Sequence, residues 1–189
     1  MSIDRREFLK TGIKAGAIGA LTFTVGGLPM LLTPAEAQAK KLPFKILSNS
    51  EADTLAAFGE ALLPGAAKAG IAHFVDQQLA VAPADCLLMI RYMDVPPPYV
   101  GFYKACLNAL DLAARQQLKK PLSKFTAAEA EAFVGKIAQQ NPEGWQAPPS
   151  AFAYFVMRAD AVDVVYGTPE GFEKLGVPYM PHIMPPTAW

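Results

Sequence analysis

Proline placement constrains this chain more than any other feature. Of its 17 prolines, nine gather at Pro96-Pro97-Pro98, at Pro148-Pro149 and in the closing stretch, where Pro178, Pro181, Pro185 and Pro186 fall within residues 176–189. Proline lacks a backbone donor and pushes the residue before it out of the helical region, so no regular helix runs through these clusters. Between them the chain is rich in Ala, Leu and Gln, with apolar residues at helical spacing.

The first predicted helix opens at Ser48, with Glu51 at capping-box distance, each able to bond the other's free backbone N–H. Ala52, Leu55, Ala56, Phe58, Leu62 and Leu63 form its apolar stripe, and Pro64-Gly65 stops it. A second helix is expected over 71–81. A third, over 84–93, follows Pro83, with Leu87, Leu88 and Tyr92 toward the core. After the proline turn a fourth runs over 99–118, with Phe102, Cys106, Leu110 and Ala113 inward. Residues 122–125 link it to a fifth, which Thr126 and Glu129 open with the same capping pattern and which reaches about Gln140. Ser150 is placed to cap a sixth over 151–166, with Phe152, Phe155, Val156, Ala159 and Val162 as its buried stripe. Gly167 stands where a left-handed cap is expected. Residues 168–175 suit one short further helix. No convincing run alternates with a period of two and no internal repeat is found. The expected fold is all-α: a small bundle of about six helices over residues 38–175, with an extended proline-rich tail over 176–189.

Residues 1–37 have a different layout. Arg5-Arg6 lead into Phe8, Leu9 and Lys10, then comes an uncharged run from Ala15 to Leu32, then Ala35-Glu36-Ala37. A basic start, an apolar middle and a small-residue boundary form an export signal, and the paired arginines make it the twin-arginine kind. Cutting after Ala37 or after Ala39 fits the pattern. The alternative is a retained membrane anchor, since about 18 apolar residues just span a bilayer; Gly26-Gly27 and Pro29 weaken a helix there and favour a cleaved signal. The twin-arginine route carries folded proteins, so the expected location is the periplasm, with transient engagement of the translocase.

Of the 17 basic and 17 acidic side chains, four basic and three acidic precede residue 38, leaving 13 and 14 and a charge near −1. Such a balance, with no basic stripe, gives no footprint for nucleic acid. The chain has no Gly-x-Ser-x-Gly, no phosphate-cradling glycine loop and no dinucleotide fingerprint. Cys86 and Cys106 flank Pro97 at similar distances. Two helices folding back at that turn would bring the thiols together, and a bridge closing a loop of ~20 residues contributes about 3 kcal/mol; the other reading is two free buried thiols. Neither fits a haem-attachment or zinc spacing. His73 reads as a surface or satisfied histidine. Asp160 and Asp163 stand three apart on one helix, an arrangement that serves acid–base chemistry but more often marks a solvated face.

The tail carries Val177, Tyr179, Met180, His182, Ile183, Met184 and Trp189 among its prolines. A disordered tail is normally poor in such side chains, and a proline-stiffened apolar segment loses little entropy on docking. It either wraps the chain's own helices or lies on another protein. Met180, His182 and Met184 share one face of an extended strand and are soft ligands that suit copper, so a self-sufficient periplasmic copper-binding protein stands as the alternative function.

The segment Tyr166-Gly167-Thr168-Pro169-Glu170-Gly171-Phe172-Glu173-Lys174-Leu175-Gly176-Val177-Pro178-Tyr179-Met180-Pro181-His182 resembles the close of the gluconate 2-dehydrogenase subunit 3 family. Residues 48–65 resemble that family's opening helix, and the twin-arginine start agrees. The resemblance covers most of the chain after the signal and is strongest at 48–65 and 166–189. It implies a non-catalytic small subunit that brings no catalytic residues and no cofactor of its own. The implied partner is a glucose–methanol–choline type flavoprotein without an export signal, which carries FAD. A cytochrome c subunit with haem c often takes the electrons, and through such a complex the protein would sit at the inner membrane.

Overall fold

The computed structural model describes residues 21–25 and 27–178. Among them are seven α-helices and one small sheet. The helices are α1 (Pro34–Ala39), α2 (Asn49–Leu62), α3 (Ile71–Leu79), α4 (Val100–Leu118), α5 (Ala127–Gln139), α6 (Ser150–Tyr166) and α7 (Pro169–Lys174). Strands β1 (Leu21–Val25) and β2 (Leu28–Leu32) pair antiparallel, Leu21 opposite Leu32. No described helix is long and apolar enough to cross a membrane.

Helix α2 is the hub, touching α3, α4, α5 and α6. Its Leu55 and Phe58 are fully buried, and a side chain at Gly59 would come within 2.9 Å of Ile71 on α3, so glycine allows those two helices to close up. The capping boxes form as expected. Ser48 N–H donates to Glu51 Oε2 at 2.8 Å and Glu51 N–H donates to Ser48 Oγ at 3.3 Å. Thr126 and Glu129 repeat the exchange at 2.7 and 3.3 Å, and Lys120 adds an ion pair to Glu129 at 2.7 Å. The inward stripe of α4 is as expected: Phe102, Cys106, Leu110 and Ala113 are all buried.

The lead-in to α2 is pinned by one carboxylate. Asp76 on α3 accepts the backbone N–H groups of Lys45, Ile46 and Leu47, each at 2.8 Å. A bend outside any helix or sheet thereby has its donors satisfied.

Four expectations are corrected. Residues 84–93 are not an α-helix but two 3-10 turns, Pro83–Asp85 and Met89–Tyr92. Side chains from elsewhere take the donors a helix would have used: Gln78 Oε1 accepts Leu87 N–H at 2.7 Å and Asp160 Oδ1 accepts Met89 N–H at 3.0 Å. Leu88, Ile90 and Cys86 are consequently buried, whereas Leu87 and Tyr92 face outward. Ser150 does not cap α6 with its side chain; it is the first helical residue, and its N–H donates to Asn141 Oδ1 at 2.7 Å. The buried face of α6 is Ala153, Val156, Met157, Asp160, Ala161 and Val164, while Phe155 and Val162 are exposed. Gly167 has φ −72°, an ordinary right-handed value. The β-hairpin was also unforeseen. Leu21-Thr22-Phe23-Thr24-Val25 does alternate, burying Leu21 and Phe23, but it lies within the run assigned to the signal.

The boundary expected after Ala37 falls inside α1, and the described part of the expected signal packs on the body. Arg5, Arg6, Phe8, Leu9 and Lys10 lie outside the described residues.

Candidate partner interface

Helix α6 is apolar on nearly every side, a composition that in a soluble protein belongs to a helix covered all round. Its inner face is covered by α2, α3 and α5. Its outer stripe, Ala151, Phe155, Arg158 and Val162 at spacings of four, three and four, is not covered by any described residue: Phe155 is 47% and Val162 40% exposed. Single exposed apolar residues are ordinary, but two large ones two turns apart on the same face of a largely apolar helix form a patch.

The segment just after α6 folds back against the end of that helix. Thr168 caps α7, its Oγ accepting Gly171 N–H at 3.0 Å. A Cβ at Gly171 would stand 2.5 Å from Tyr166 Cα and 2.6 Å from the Val165 carbonyl, so only glycine lets α7 fold against the end of α6. Val177 N–H then donates to the Phe172 carbonyl at 3.1 Å, closing the segment. Leu175 and Val177 leave it about half exposed. Of the expected contact residues Val177 is therefore outward-facing; Tyr179, Met180, His182, Ile183, Met184 and Trp189 lie outside the described residues.

Asp160 corrects the expectation of a solvated acidic face. It is fully buried, accepting Tyr103 O–H at 2.5 Å on Oδ2 and Met89 N–H on Oδ1. Burial pushes its carboxyl up to about 7, against the lowering effect of those two bonds, and nearby Asp163 adds to the rise. Burial also lifts Asp163, which is only partly covered, and holds the Tyr103 phenol well above its usual range, with Asp160 adding to that. With no solvent access at either Asp160 or Tyr103, the pair serves as a buried tie joining α6, α4 and the 89–92 turn. The polar spacing of Asp160 and Asp163 in the sequence was visible; their burial was not.

His73 is likewise buried, its Nε2 donating to the Leu42 carbonyl at 3.0 Å between the rings of Phe44 and Phe23. Burial holds it below the usual imidazole range, hence neutral. Cys86 and Cys106 are buried free thiols, burial raising the latter to about 12. The pair of helices that would have matched their heights is absent, because the Cys86 segment is irregular.

The model of gluconate 2-dehydrogenase subunit 3 matches residues 49–185, from the first residue of α2 through α7 and into the tail. The chain belongs to the gluconate 2-dehydrogenase subunit 3 family. It is thus an accessory subunit associated with a dehydrogenase complex. No curated protein and no solved structure matches it.

Proposed function

We propose that this chain is the non-catalytic small subunit of a periplasmic, FAD-dependent, gluconate 2-dehydrogenase-like sugar or alcohol dehydrogenase. Its task is to escort the flavoprotein, which has no signal of its own, through twin-arginine export and then to stabilise it. FAD belongs to the flavoprotein, haem c to a cytochrome subunit, and the complex is held at the inner membrane.

The observation that carries this reading is the outer stripe of α6, where Phe155 and Val162 are exposed among the described residues, together with exposed Leu175 and Val177 after α7, in a member of a dehydrogenase-subunit family. Two further features support it. Arg5-Arg6 supply the export address. The polar groups best suited to chemistry, Asp160 and Tyr103, are buried where no substrate reaches them. The apolar stripe flanked by Arg158 has the make-up of an interface centre, where aromatic and arginine anchors concentrate binding energy.

Co-purification tests this. The tagged full chain, expressed beside the flavoprotein gene, is expected to bring down a protein with a flavin absorbance spectrum. Recovery of the chain alone, with the flavoprotein soluble and folded in the same extract, would refute it.

A further inference from the structure

Residues 21–25 and 27–39, expected to be cut away with the signal, are built into the fold. Hairpin β1–β2 and helix α1 form a strap over α3. Leu21, Phe23 and Leu32 are at most 8% exposed and Ala37 is fully buried. Phe23 lies against His73, their ring centroids 6.4 Å apart. The seat is made for the strap: a Cβ at Gly70 would stand 2.2 Å from the Pro34 carbonyl oxygen, and Gly70 also has φ +85°, which glycine alone adopts without strain.

The boundary itself is locked. Thr33 and Glu36 close a capping box around the start of α1, with Thr33 N–H donating to Glu36 Oε2 at 2.8 Å and Glu36 N–H donating to Thr33 Oγ1 at 3.1 Å. The carbonyl of Ala37, at one expected cut, accepts Leu42 N–H at 3.1 Å. Leu42 in turn offers its own carbonyl to His73. Ala39, at the other expected cut, ends α1, whose cap Lys40 N–H donates to the Glu36 carbonyl at 2.9 Å.

Proteases cut chain that is exposed and free of internal hydrogen bonds, and a folded segment is cut in proportion to how often it opens. The twin-arginine route delivers proteins already folded. We therefore propose that the strap, residues 21–25 and 27–39, shields the Ala35-Glu36-Ala37 boundary from the signal peptidase, so that the exported chain keeps these residues as part of its body. This rests on the export reading above for its setting, but the shielding is a property of the chain alone.

The test treats purified, folded full-length chain with signal peptidase in detergent and follows the mass of the product. Wild type is expected to stay whole. Gly70→Val, which evicts Pro34, should be cut after Ala37 or Ala39 at least about tenfold faster, the effect of ~1.4 kcal/mol in the opening equilibrium. Thr33→Ala, at a half-buried position, removes the side-chain cap of α1 and should quicken cutting about fivefold. Wild type cut as fast as the variants overturns the proposal. Variants cut no faster than wild type also overturn it, because packing then is not what protects the boundary. Periplasmic protein from cells provides the second measurement: an N-terminus at Gln38 or Lys40 overturns the proposal. A chain found only in the cytoplasm defeats the export reading instead and leaves the peptidase comparison to decide this one.

Discussion

Replacing Tyr103 by phenylalanine isolates the buried tie at the centre of the bundle. The change removes one oxygen and leaves the ring, so packing is kept while Asp160 Oδ2 loses its 2.5 Å donor. The effect depends on the charge of Asp160. Its folded carboxyl is raised from 3.8 to about 7, chiefly by burial, so the folded state holds this proton to higher pH than the unfolded chain does. Between pH ~7 and ~4 the folded state binds more protons, and this residue's contribution therefore makes the protein more stable as pH falls through that window.

Near pH 8 Asp160 is mostly ionised, and Tyr103→Phe removes a bond that favours that charge, so the carboxyl is left with only Met89 N–H or takes up a proton. The expected loss is about 2 kcal/mol, or roughly 4–8 °C in Tm for a chain of this size. Near pH 5 the carboxyl is neutral in the fold, and losing an ordinary hydrogen bond should cost about 1 kcal/mol, or roughly 2–4 °C. Thermal melts followed by circular dichroism at both pH values measure the difference. A loss at pH 8 no larger than that at pH 5 would refute the charged, buried reading of Asp160.

Asp76→Ala strips the acceptor from three backbone donors and should lower stability by about 3 kcal/mol or more, read as a fall in the urea midpoint. Gly171→Val should detach α7, making the chain beyond Tyr166 sensitive to thermolysin while the Tm of the body stays within about 2 °C; unchanged protease resistance would contradict the tight seat of α7. Phe155→Asp combined with Val162→Asp should leave the melt almost unchanged and weaken binding to the flavoprotein at least about tenfold by calorimetry.

Local chemistry made much of this fold readable in advance. Ser48 with Glu51 and Thr126 with Glu129 announce their helices through bonds made within four residues, and the α4 stripe follows a clean helical period. What escaped depends on partners distant in sequence. Residues 84–93 look helical until Gln78 and Asp160 claim the N–H groups of Leu87 and Met89. Helix α6 offers apolar residues on all sides, so its pattern admits more than one stripe, and only the packed bundle selects the one containing Asp160. Ser150 has the usual chemistry of a cap, but Asn141, nine residues earlier, does that work. Of the expected interface, the sequence pointed to the tail; the outer face of α6 was misread as core because Phe155 and Val162 are the kind of side chain that cores hold.

As proposed above, this subunit carries a flavoprotein across the membrane. Fractionating a strain that lacks this chain, and probing for the flavoprotein, tests that directly. The account predicts flavoprotein confined to the cytoplasm and restored to the periplasm by the wild-type chain but not by one with Arg5 and Arg6 changed to lysine; flavoprotein reaching the periplasm normally in the deletion strain would contradict it.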